Sequence, residues 1–130
     1  MAFDPSLTPL ETDLLTRFHH RFGYLGFPAP AQLVVTARTN TGAGRYTRFA
    51  HDGSVSIDEG DLGLGTYSQF DMEGLRAGAS FWVYVTSGKI DYLEIVLNGE
   101  GHWDGCERAW GLIDPDTGDL PVWLSLGAQP

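Results

Sequence analysis

The chain has 130 residues, 42% apolar and 19% charged, a globular composition long enough for one domain with a substantial core. Seventeen acidic against eight basic residues give a net charge of −9, which argues against a nucleic-acid phosphate backbone as partner and favours basic ones. Cys106 is the only cysteine and leaves no intramolecular disulfide; no basic-then-apolar leader and no apolar run of about 20 residues is present, so the expectation is a cytoplasmic protein without a membrane segment.

In chain order, Thr8-Pro9-Leu10-Glu11 is a capping box. The Thr8 hydroxyl can accept from the third helical amide, Pro9 suits the first helical position, and Glu11 can reach back to the cap. Leu10, Leu14, Leu15, Phe18 and Phe22 follow at helical spacing, which predicts a helix over 9–22, stopped by Gly23, with one apolar stripe for a sheet. His19 and His20 sit in its last turn, where the helix dipole favours a cation.

Tyr24–Pro30 is a Gly/Pro-broken connection. Gln32–Thr39 reads as a strand, Asn40–Gly44 as a turn, and Arg45–His51 as the returning strand. An acidic, glycine-rich loop runs from Asp52 to about Gly65, Thr66–Met72 is a third strand, and Glu73–Ala79 a second loop. The central feature is the hairpin Phe81–Leu97, with Ser87-Gly88 as a two-residue turn. Unbroken alternation pairs Val85 with Ile90, Val83 with Tyr92 and Phe81 with Glu94. It puts Phe81, Val83, Val85, Ile90 and Tyr92 on one face, with Trp82, Tyr84, Asp91 and Leu93 on the other. Both faces are largely apolar, so the hairpin belongs in the middle of the sheet. After an irregular stretch around Trp103, short apolar runs at Trp110–Ile113 and Leu120–Leu124 flank the turn-rich Asp114–Gly118, and Pro121 makes the last run an edge strand at most. The fold class expected is α+β: one domain over 1–130, a mainly antiparallel sheet packed against the N-terminal helix.

Three segments carry a resemblance. Arg38–Phe49 resembles an R-x-x-T-G-x-G-[aromatic]-x-T-x-F pattern, Gly74–Phe81 resembles G-L-x-x-G-x-x-F, and Gly88–Glu94 resembles G-x-[LI]-x-x-L-E. Together, over roughly 33–103, they are similar to a family of small uncharacterised bacterial proteins. The chain departs from that pattern at Arg45, where an aromatic residue is expected, and at Val96 and Asn98, where the pattern tends to tyrosine. The resemblance implies a compact α+β domain and no activity.

The residues that could carry function are few. Thr41-Gly42-Ala43-Gly44 lacks the Gly-Lys-Ser/Thr ending of a phosphate-binding loop and is a tight turn. Glu94 lies in an apolar strand, where a buried carboxylate must be paired or protonated, and Arg38 or Arg48 is its expected partner in an ion pair or pocket. Glu100, His102, Asp104, Cys106 and Glu107 surround Trp103 without zinc-ligand spacing, and the acidic neighbours of Cys106 disfavour a thiolate nucleophile. No serine lies in a nucleophile elbow, and no residue pattern implies a cofactor.

The leading expectation is therefore a non-enzymatic acidic binding module for a basic protein, in its most concrete form a bacterial toxin-neutralising immunity-type protein. Asp58, Glu59, Asp61, Glu100, Trp103, Asp104 and Glu107 are the expected partner-binding residues. The alternative is a small-molecule-binding or catalytic domain with a sheet pocket around Glu94 and a nearby arginine.

Overall fold

Thr8 starts the helix by the mechanism its sequence specifies. A computed structural model describes residues 4–112, and in it α1 runs Pro9–Phe22. The Thr8 hydroxyl accepts from the Glu11 amide at 3.1 Å, and the Glu11 carboxylate accepts from the Thr8 amide at 2.9 Å. Leu10, Leu14, Leu15 and Phe18 are completely buried under the helix, while Phe22 is half-buried at its end.

Seven strands follow: β1 (Val34–Asn40), β2 (Gly44–Ala50), β3 (Gly60–Leu62), β4 (Gln69–Met72), β5 (Ala79–Thr86), β6 (Lys89–Leu97) and β7 (Trp110–Leu112). They form one sheet in the order β1-β2-β6-β5-β4-β7, with β3 beside β4 on the same edge of β5, and every pairing is antiparallel. The protein is α+β, and β5 and β6 occupy the middle of the sheet as the hairpin's apolar character requires. No helix among the described residues is long and apolar enough to cross a membrane. The expected Asp114–Gly118 turn and Leu120–Leu124 run lie outside the described residues.

Two features of the connections differ from the sequence expectation. The acidic loop contains a short strand, β3, which pairs Asp61 with Tyr84. The expected strand Thr66–Met72 begins as a single 3-10 turn over Gly65–Ser68 and becomes extended only at Gln69.

The hairpin turn forms at Ser87-Gly88, with φ of 51° and 75° at the two positions. Positive φ at both central residues is what a type I′ turn needs, and this twist suits the flanking strands. Val85 pairs with Ile90 as alternation requires, but the next pair is Tyr84 with Tyr92. Asp91 is an extra residue on β6, a β-bulge, and it moves every later residue of the strand to the opposite face. Ile90 is thus followed on the buried face by Leu93 and Ile95, and Tyr92 and Glu94 point the other way. This corrects the face expected for Tyr92, Glu94 and Leu93. The bulge is held from both sides: the Asp91 carboxylate accepts from the Thr86 hydroxyl and from Arg48, each at 3.0 Å.

The core is the contact between α1 and one face of the sheet. Phe18 stands edge-on to Phe81 at 5.7 Å and stacks on Phe27 at 5.5 Å. Around them lie Val83, Val85, Leu93 and Ile95, all at most 1% exposed. At Gly44 a side chain would collide with the Ile95 carbonyl oxygen, so glycine lets β2 start close against β6. Because Leu14 is fully buried between helix and sheet, Leu14→Ala leaves a cavity and should cost about 2–5 kcal/mol in urea melts. A loss below about 0.5 kcal/mol would mean that the helix is not packed in this way.

Candidate functional site on the open sheet face

The two faces of the sheet carry different chemistry. On the helix side, β1 and β2 present Arg38, Arg45 and Thr47, and α1 lowers Glu11 among them. Glu11 is 0% exposed and accepts five hydrogen bonds: two from Arg38 at 2.7 and 3.0 Å, and one each from Arg45 (3.1 Å), Thr47 (2.7 Å) and the Thr8 amide (2.9 Å). Arg45 also reaches Glu107 at 2.7 Å and lies over the Trp103 ring, 5.2 Å from its centroid. Glu107 in turn accepts from the Leu10 amide, an orphan donor of the first helical turn. Two arginines and two carboxylates thus form a charge-balanced cluster that ties α1 to the sheet. Burial by itself would raise the Glu11 pKa, but the Arg38 hydrogen bonds, the Thr8 and Thr47 donors and the Arg45 charge outweigh it and hold the group below its ordinary 4.5.

Among the described residues no helix lies over the opposite face. Cross-strand pairing arranges it in rows. One row runs Arg48, Tyr92, Tyr84, Asp61 across β2, β6, β5 and β3; the next runs Tyr46, Glu94, Trp82 across β2, β6 and β5. The three tyrosines touch: Tyr84 stacks on Tyr92 at 5.3 Å and 6°, and Tyr46 meets Tyr92 edge-on at 5.3 Å and 70°. Arg48 lies 5.2 Å from the Tyr92 ring centroid while paired with Asp91 at 3.0 Å. A hydrogen bond to Glu94 raises the Tyr46 phenol pKa; burial first, then the charges of Glu94 and Asp61, raises that of Tyr92. Ring faces next to carboxylates are a surface suited to cations.

The structure separates the three residues expected at a Glu94 pocket. Arg38 is on the helix side with Glu11, Arg48 is paired with Asp91, and Glu94 lies on the open face between Tyr46 and Trp82. Three clefts of about 450, 550 and 500 Å³ lie beside α1, and none of them is lined by Glu94.

The expected partner-binding residues also divide. Trp103 is 2% exposed, with its indole N–H donating to the Cys106 carbonyl at 2.9 Å, so it is a core residue rather than an anchor for a partner. Glu107 belongs to the buried cluster. Asp104 is exposed and paired with Arg108 at 2.8 Å, and the hydrogen bonds from Arg108 and the Cys106 amide hold its carboxyl well below the usual range. Glu100 is exposed in the loop after β6. Asp58 and Glu59 are exposed in the loop before β3, where Glu59 accepts from the Ser87 amide at 3.0 Å. Asp61 alone of the seven stands in a row of the open face.

Sequence reasoning missed Tyr46 and Trp82 as members of the candidate site. It also missed the second role of Glu11, whose place in the capping box accounts fully for its presence there. Among the described residues no group of three or more His, Cys, Asp or Glu is placed to hold a metal ion. No family model, curated protein or solved structure matches the chain.

Replacing Glu11 by Gln leaves Arg38 and Arg45 short of their shared counter-charge. It should destabilise by about 3–5 kcal/mol, the range for breaking a buried pair from one side. The folded-state pKa is depressed, so the contribution of Glu11 is present above 4.5 and is lost as pH falls through the lower folded value. Melts between pH 7 and pH 3 should show the steeper acid loss in the parent chain and a flatter one in Glu11→Gln. Parallel curves would show that the cluster is not ionised as described.

Proposed function

We propose that this chain is a non-enzymatic binding module that takes a basic protein segment on its open sheet face, with toxin neutralisation by a bacterial immunity-type protein as the concrete form of that activity. The observation that carries the reading is the row structure of that face, where Glu94 stands between Tyr46 and Trp82, and Asp61 ends the row of Arg48, Tyr92 and Tyr84. Aromatic residues are the usual anchors of protein interfaces, and carboxylates among them select cationic partners. The net charge of −9 adds long-range attraction for the same class of partner.

This division of labour gives a rate test. Association with a nine-arginine peptide should slow markedly as salt rises from about 50 mM to about 0.5 M, because the Debye length falls from roughly 14 to roughly 4 Å. Asp61→Lys and Glu94→Lys should each slow association and weaken binding several-fold more than Glu100→Lys, which makes the same charge change away from these rows. Stopped-flow mixing at four salt concentrations reads both effects. A salt-independent rate, or equal losses from all three variants, would contradict the reading.

A further inference from the structure

The two rows of the open face both set aromatic rings beside charge, but only one of them contains a cation of the chain. In the first, a guanidinium from the chain itself, that of Arg48, stacks on Tyr92 and pairs with Asp91. In the second, Glu94 stands directly opposite Tyr46 on one side and Trp82 on the other, and among the described residues no arginine or lysine forms an ion pair with it. Directly opposed residues on neighbouring strands hold their Cβ atoms roughly 5 Å apart, so the carboxylate is flanked by an aromatic side chain on each side. This row has aromatic side chains and a carboxylate side by side, without a cation of its own.

We propose that Tyr46, Glu94 and Trp82 form the seat for one arginine side chain of the basic partner. The inference rests on the binding-module reading and names the contact at its centre. The guanidinium lies against the aromatic side chains and donates to the Glu94 carboxylate, in the arrangement that Arg48, Tyr92 and Asp91 make one row away. Arginine is favoured over lysine because its planar group can stack on a ring while its N–H fork reaches a carboxylate, whereas an ammonium is a compact and strongly hydrated point charge. Tyr46 stands directly opposite Glu94, and the carboxylate has acceptor sites for the incoming donors.

The probe is the capped tripeptide acetyl-Gly-Arg-Gly-amide, titrated into the full chain while the Trp82 indole N–H resonance is followed by NMR. Its controls are the citrulline tripeptide, of the same shape without charge, and the lysine tripeptide. The arginine peptide should shift the Trp82 resonance saturably, citrulline should not, and lysine should bind several-fold more weakly. Glu94→Gln should weaken the arginine peptide about tenfold, the size of one charge-assisted hydrogen bond. Trp82→Leu, followed through the Tyr46 ring resonances, should weaken it about fivefold, as loss of a cation–π contact does. Glu100→Gln, with the same change in net charge, should leave it within twofold. No saturable shift, equal binding of citrulline or lysine, or equal effects of Glu94→Gln and Glu100→Gln would overturn the seat. Should the nine-arginine peptide still bind in a salt-dependent way that Asp61→Lys weakens, only the seat falls; should that peptide also fail to bind, the binding-module reading falls with it.

Discussion

The carboxylate of Glu11 is the constraint on which the arrangement depends. It is completely buried, and it is tolerable there only because five donors surround it and two arginines balance it together with Glu107. These partners come from the helix cap, from two strands and from the segment after Trp103, so meeting the needs of one charge fixes four parts of the chain relative to each other. Hydrophobic contact alone would let a stripe of Leu and Phe slide along a sheet; the fixed geometry of guanidinium and carboxylate does not. The cluster therefore sets which face of the sheet the helix covers, and hence which face is left open.

That open face shows how a sheet can leave aromatic residues half-exposed. Tyr46, Tyr84 and Tyr92 cover one another's rings, Arg48 covers part of Tyr92, and Asp61 and Glu94 break the apolar surface with charge. Charged residues on an exposed sheet oppose indiscriminate association. They also favour a cationic segment over an anionic or neutral one, so the same residues serve solubility and selectivity.

Much of the fold was legible because the signals were local. The capping box, the helical stripe and the Ser87-Gly88 turn are short patterns with one physical reading each, and each forms where the sequence placed it. The bulge at Asp91 was not legible. Tyr92, Leu93 and Ile95 suit either face of a central strand, so unbroken alternation fitted as well as alternation with one residue inserted. That single residue decides the site, since without it Glu94 would face the core. Strand β3 was missed because three residues in a glycine-rich acidic stretch have no periodicity to read. Arg38 or Arg48 was the expected partner of Glu94; Arg38 instead pairs with a carboxylate 27 positions before it in the helix, rather than one on a neighbouring strand. Only the packing of helix on sheet brings that pair together, and no spacing within the sequence encodes it.

The central claim is that helix packing and one bulge sort the aromatic residues into a sealed set and an available set. Hydroxyl-radical footprinting, read by mass spectrometry with and without a saturating nine-arginine peptide, tests it most directly. The account predicts that Tyr46, Trp82, Tyr84 and Tyr92 are oxidised in the free chain and protected by the peptide, while Trp103 and Trp110 resist oxidation in both. Oxidation of Trp103 and Trp110 at the rate of Trp82, or labelling of the four open-face residues that the peptide leaves unchanged, would contradict it.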